Sequence, residues 1–220
     1  DEALAALKVA QNNFERVSFD LIYARPDQTV EGWKKELKEA ISFGTSHMSL
    51  YQLTIEEGTA FYHQFERGKF KLPDEETSVA LFEETQNMMA AAGMPAYETS
   101  NHAKPGEESQ HNLAYWQGEP YVGIGPGAHG RLPTIEKGAA YAHAQIKRPE
   151  DWLTASVSRG TGLDTLDYIP AEDRAVEAIL TGLRLTKGVD ITRWQEQFSQ
   201  PLYSVVNESA ASELETSGHI

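Results

Sequence analysis

Three stretches of this sequence gather residue types that could do chemistry. The first is Gly125-Pro126-Gly127-Ala128-His129-Gly130, a literal G-x-G-x-x-G behind an expected strand at residues 121–124. A dinucleotide site needs a helix to start inside that motif, so that its N-terminus faces the pyrophosphate. Here Arg131-Leu132-Pro133 follows, and proline breaks a helix, so a nicotinamide or flavin site is rejected. No G-K-[ST] follows, which excludes a Walker A loop. Glycines at 123, 125, 127 and 130 still let the backbone turn sharply and let a ligand approach closely. A tight strand-to-loop turn would use the same residues.

The second stretch is His111-Asn112-Leu113-Ala114-Tyr115-Trp116. Imidazole can ligate iron, and Tyr115 and Trp116 would suit a flat apolar ligand with polar edges as stacking walls. A buried corner, with His111 and Asn112 bonded to backbone, is the plainer alternative. The spacings of His102, His111 and His129 match no metal motif. The third feature is Asp20 inside the apolar run VSFDLIY at residues 17–23. A carboxylate on a strand buried on both faces is costly unless paired. Near the strand's carboxyl end it would reach the ligand face of a parallel sheet or barrel. The alternative is a salt bridge to Arg16 or Arg25. Gln52 and Thr54 end the next strand at the same height, and Glu98 and Thr99 pose the question more weakly.

The elements that must position these residues alternate over the first two thirds of the chain. Residues 2–13 carry helical periodicity, and 17–23 read as a buried strand. Thr29 can cap a helix bearing Trp33, Leu37, Ala40 and Ile41, which Gly44 ends. Residues 47–54 (HMSLYQLT) form a second strand, Asp74 caps a long helix to about Ala92, and residues 96–100 (AYETS) form a third strand. Strand–helix–strand units of this size imply parallel pairing, in an open sheet or a barrel. After about residue 150 the alternation stops. Residues 171–185 and 191–198, and a stretch after Pro201, read as helices of helix-turn-helix outline. The expected division is therefore an α/β domain at 1–150 and a helical domain at 151–220.

Composition narrows the function classes. The 220 residues hold 19 Lys and Arg against 33 Asp and Glu, a net charge of −14, with a hydrophobic fraction of 40% that can fill a core. Phosphate binding needs clustered positive charge, so nucleic acid is not an expected partner. Residues 171–220 alone hold four basic and eight acidic residues. No apolar run reaches the length of a membrane span. With no cysteine, the chain has no disulfide, no thiolate zinc site, no cysteine nucleophile and no iron–sulfur ligation of its own. No signal peptide is visible, so the cytoplasm is expected. The opening Asp1-Glu2-Ala3, without Met and already in a helical pattern, suggests a fragment.

The motifs together resemble a known family. Residues 19–29 (FDLIYARPDQT) are similar to the D-L-I-Y-G-L-P-x-Q-T stretch of oxygen-independent coproporphyrinogen III oxidases and their relatives. Residues 48–59 (MSLYQLTIEEGT) resemble L-S-x-Y-x-L-T-x-E-x-G-T, and 97–101 (YETSN) resemble Y-E-I-S-N. Residues 111–116 resemble H-N-x-x-Y-W, and 123–130 resemble G-x-G-x-G-A-H-G. The order runs continuously from about residue 14 to 130, and more weakly through the tail. H-N-x-x-Y-W and the YQLTIE strand favour the subgroup of HemW-type haem chaperones.

The resemblance implies the C-terminal part of a partial (β/α) radical S-adenosylmethionine (SAM) barrel, followed by a small helical, winged-helix-like domain. A [4Fe–4S] cluster would sit on a C-x-x-x-C-x-x-C loop that this chain lacks, so the missing N-terminal half of the barrel is an expected partner. It implies that Asp20, Ile22 and Thr54 line a SAM pocket, joined by Gly125, Gly127 and His129 of the glycine loop. His111 becomes the candidate haem contact, with Tyr115 and Trp116 beside it. Ala24-Arg25 replaces the usual Gly-Leu, and His102 stands where Phe is common. Two functions follow as expectations: a haem chaperone with haem as ligand and a haem-acceptor protein as partner, or an oxidoreductase that decarboxylates coproporphyrinogen III.

Overall fold

The structure, a computed structural model, describes residues 2–218. The expected domain ends at Asp1 and at His219 and Ile220 lie outside the described residues. The chain divides into two compact units, Asp1–Ser109 and Gln110–Ile220.

The first unit runs α1 (Glu2–Asn13), β1 (Ser18–Tyr23), α2 (Val30–Ser42), β2 (His47–Gln52), α3 (Ala60–Glu66), α4 (Glu75–Ala91) and β3 (Asn101–Ala103). Thr29 caps α2 by accepting from Gly32 N–H at 3.1 Å, and Asp74 caps α4 by accepting from Thr77 N–H at 2.9 Å. Each cap satisfies a donor that the helix itself cannot. β1 and β2 pair in parallel, from Ser18 opposite His47 to Tyr23 opposite Gln52, with α2 as the crossover. On α2, Trp33, Leu37 and Ala40 recur about one turn apart and share a core with Tyr23, Met48, Leu50, Leu81 and Met89. Trp33 stacks on Tyr23 at 5.1 Å, and its indole N–H donates to the Thr85 hydroxyl at 2.8 Å.

Two expectations need correction here. β1 is not buried on both faces. Phe19 and Leu21 are partly covered and Tyr23 is buried, whereas Ser18, Asp20 and Ile22 on the other face are exposed. The helices cover only one face of the sheet, so an acidic residue at position 20 carries little desolvation cost. Nor is there a third parallel strand at residues 96–100. The chain turns back on itself there, bridging Ala96 to His102, and β3 pairs antiparallel with β2. Glu98 holds the turn: its carboxylate, buried at 1% exposure, accepts from Ser100 N–H at 2.9 Å and from the Asn101 amide.

The second unit contains α5 (Gln110–Trp116), β4 (His129–Pro133), β5 (Ala140–Gln145), α6 (Pro149–Arg159), β6 (Leu163–Ile169), α7 (Ala171–Gly182), α8 (Ile191–Gln197), a 3-10 turn at Leu202–Ser204 and α9 (Glu208–Thr216). Its sheet is antiparallel in the order β4-β5-β6. The glycine motif leads into strand β4 and not into a helix, and residues 121–124 contribute one bridge, Tyr121 to Arg131. The units part at 109/110 and not near residue 150, because β6 pairs along β5 and keeps residues 163–169 with the sheet. The tail helices close over Ala175, Ala178, Trp194 and Phe198.

Candidate functional site

In the second unit the H-N-x-x-Y-W segment folds as α5. The i, i+4 spacing puts His111 and Tyr115 on one side of it. His111 Nε2 and the Tyr115 hydroxyl hydrogen-bond, and the rings meet edge-to-face at 4.4 Å. Burial, and secondarily the nearby Tyr121, push the Tyr115 pKa upward, so the phenol stays protonated beside the imidazole. Tyr115 also packs edge-to-face on Tyr121 at 4.4 Å and on Trp116 at 6.4 Å. Arg184 lies over the Trp116 ring, 4.5 Å from its centroid.

The tail helices hold the end of α5. Arg174 Nη2 donates to Gly118 O at 2.8 Å, and Gln197 Nε2 donates to Gln117 O at 3.2 Å. Arg193 donates to the Gln117 amide oxygen at 2.7 Å and to the Glu119 carboxylate. Tyr115, Trp116 and Tyr121 then line a cleft of about 380 Å³ together with His129, Arg131, Arg174, Glu177 and Thr181. That volume lies within the range of small-molecule sites. The fold therefore brings Tyr115, Trp116 and His129 together, with the exposed His111 attached through Tyr115.

Gly125 and Gly127 have φ of 107° and 70°, so their backbone conformation requires glycine. Gly123 and Gly130 are glycines for another reason. A Cβ at 123 would lie 2.2 Å from His129 O, and one at 130 would lie 1.9 Å from His143 Nε2. His143 is buried and accepts the Gly123 N–H at 3.2 Å. At these two positions the close neighbour is the protein itself, which corrects the expectation that they make room for a ligand.

In the first unit, Asp20 and Ile22 stand on the exposed face of β1, and Thr54 is exposed in the loop after β2. Arg16 and Arg25 pair with Glu107 at 2.9 Å and Glu36 at 2.5 Å, so neither takes the Asp20 partnership that sequence left open. The register places His47 and Ser49 beside Ser18 and Asp20 on the same face. His47 Nδ1 meets the Ser18 hydroxyl at 2.7 Å, and its Nε2 meets the Tyr97 hydroxyl at 2.9 Å. Burial holds the His47 pKa below its ordinary value, with the Asp20 charge pulling the other way. Asn101 lies opposite Ser49 with its Oδ1 buried and without a hydrogen-bond partner among the described residues. Acceptors on a polar sheet face fit the hydroxyl and ammonium donors of SAM. An iron–sulfur cluster does not fit residues of this chain, which has no cysteine.

Sequence reasoning missed Tyr121, Arg131, His143, Arg174 and Glu177. Their partners lie far along the chain, as with Arg131 and Glu177, 46 residues apart. A signal existed in α7, where Arg174, Glu177 and Thr181 form a polar line at i, i+3 and i+7 beside the buried Ala175 and Ala178.

Residues 169–220 match the family model of the HemN C-terminal domain. The chain is 35% identical over 182 residues to radical S-adenosyl methionine domain-containing protein 1, mitochondrial, of Danio rerio, covering 82% of this chain and 41% of that protein. It is 33% identical over 208 residues to heme chaperone HemW of Haemophilus influenzae, covering 94% and 52%. With HemW of Bacillus subtilis the identity is 32% over 189 residues, covering 86% and 48%. The solved structure of coproporphyrinogen III oxidase HemN from Escherichia coli, a radical SAM enzyme, superposes with a TM-score of 0.61 at 18% identity, covering 83% of this chain and 44% of that one. That likeness shows the fold alone. The chain spans about half the length of the curated relatives it matches. By sequence it is similar to HemW-type relatives over most of its length, and by fold to HemN, a radical SAM enzyme.

Proposed function

We propose that the chain is the haem-handling part of a HemW-like haem chaperone. The observation that carries this reading is the His111–Tyr115 pair on α5, set at the edge of an aromatic cleft in a chain whose relatives include proteins named for haem carriage. The His111 imidazole is exposed and offers iron a nitrogen ligand, while Tyr115, Trp116 and Tyr121 supply flat walls for the macrocycle. In the first unit we assign Asp20, Ile22 and Thr54 to SAM; in the second unit, taken by itself, we assign a SAM contact to Gly125, Gly127 and His129. Bound SAM, with a [4Fe–4S] cluster held outside this chain, would supply one-electron chemistry. The protein's own contribution is binding and orientation. The partners are haem and an acceptor protein that receives it.

No helix among the described residues is long and apolar enough to cross a membrane, and several relatives carry a mitochondrial name. No specific feature of the site favours decarboxylation of coproporphyrinogen III over carriage. The test is a haem titration of the chain and of its His111→Ala variant, followed at the Soret band. Wild-type binding that drops at least tenfold in the variant supports the reading. Equal binding by both removes His111 as the iron contact.

A further inference from the structure

Resting on that reading, we propose that Arg131 forms a carboxylate-recognition subsite in the cleft and receives a propionate of the bound tetrapyrrole. Arg131 and Arg174 share one carboxylate. Arg131 Nε and Nη2 reach Glu177 Oε1 at 3.0 and 2.5 Å, and Arg174 Nη1 reaches Glu177 Oε2 at 3.2 Å. Two guanidiniums against one carboxylate leave a positive charge over in the cleft. A third cation, Arg184, covers the Trp116 wall. This concentration of arginine stands out in a chain of net charge −14.

The two paired arginines are not equivalent. Arg174 is sunk to 7% side-chain exposure and is committed to Glu177 and Gly118 O. Arg131 keeps 20% exposure. A guanidinium carries five N–H donors in a fixed fork. In Arg131, Glu177 and Gly130 O take the Nε edge and one donor on each terminal nitrogen, and the second donor of each remains. Glu177 thus acts as a splint that fixes the fork beside Tyr115 and Tyr121. A planar ligand lying on those rings presents its acidic edge to it. Charge-assisted contact of this kind is geometry-specific, which would give selectivity for a ligand bearing carboxylates.

The experiment compares haem with haem dimethyl ester, whose propionates are blocked, on wild type, Arg131→Gln, Arg131→Lys and His111→Ala, with titrations repeated in excess SAM. The wild type is expected to prefer haem over the ester by roughly ten- to hundredfold, the worth of a charge-assisted hydrogen bond. Arg131→Gln should remove that preference by weakening haem and leaving the ester unchanged, and Arg131→Lys should keep part of it. Equal affinity of the wild type for haem and ester overturns the proposal, and needs no variant to fold. So does an Arg131→Gln protein that retains the preference. In both cases His111-dependent haem binding would survive, and with it the reading of function. Displacement of haem by SAM only when Arg131 is present would assign the subsite to the SAM carboxylate instead and also overturn it. Absence of haem binding in the wild type would sink both ideas together.

Discussion

Replacing His102 by Phe probes how this fold tolerates a histidine in its core. His102 sits in β3 opposite Met48, 1% exposed, and its ring nitrogens make no well-formed hydrogen bond among the described residues, although the nearby Met94 backbone opposes part of the effect of burial on its pKa. Burial pushes its pKa down from 6.5 to about 4. Between those two values the unfolded chain binds a proton that the folded chain refuses, so stability falls as pH drops from about 6.5 to about 4. Each pH unit in that window is worth about 1.4 kcal/mol, giving a loss of about 3 kcal/mol across it. His47 has a lowered pKa too and adds a limb of the same sign, but it is present in both proteins. The difference between wild type and His102→Phe therefore isolates position 102. Urea unfolding at pH 7.5 and 4.5 reads it, with hydrogen exchange of the peptides covering residues 47–52 and 101–103 reporting on this unit. Wild type should lose about 1–2 M more in urea midpoint than the variant on acidification. At pH 7.5 the variant should be as stable as wild type or more so, since a buried unpaired polar group is removed. An identical acid loss in the two proteins would refute the buried neutral histidine.

Other perturbations test the remaining links. Gly130→Ala places a methyl group against the His143 ring and should cost about 1–3 kcal/mol in thermal unfolding, much of it restored by adding His143→Ala. Glu98→Ala leaves Ser100 N–H and the Asn101 amide without their acceptor; a loss of about 1–3 kcal/mol and faster exchange of the Ser100 amide are expected. Tyr115→Phe removes the hydroxyl that occupies His111 Nε2 and competes with iron for it, so haem affinity should rise severalfold in the Soret titration, and a fall would show that the phenol supports the ligand.

The sequence by itself determined what is local. Thr29 and Asp74 cap helices because the side-chain oxygen and the helix N–H it accepts from are three residues apart. The alternation of β1, α2 and β2, and the failure of a helix to follow the glycine motif, are likewise written in short windows of residue type. The tertiary structure decided what depends on distant partners. β3 runs antiparallel because Glu98 ties a turn that no hydrophobic pattern encodes. The exposure of Asp20 follows from which face of the sheet the helices cover. Gly123 and Gly130 are explained only when the His129 backbone comes against residue 123 and β5 brings His143 against residue 130. The cleft exists because α7 sets Glu177 against Arg131 and Arg174 against the end of α5, contacts that span 46 and 56 positions of chain. Periodicity reports which residues face inward, but the identity of the neighbour across the core is set by chain closure, which a window of sequence does not contain.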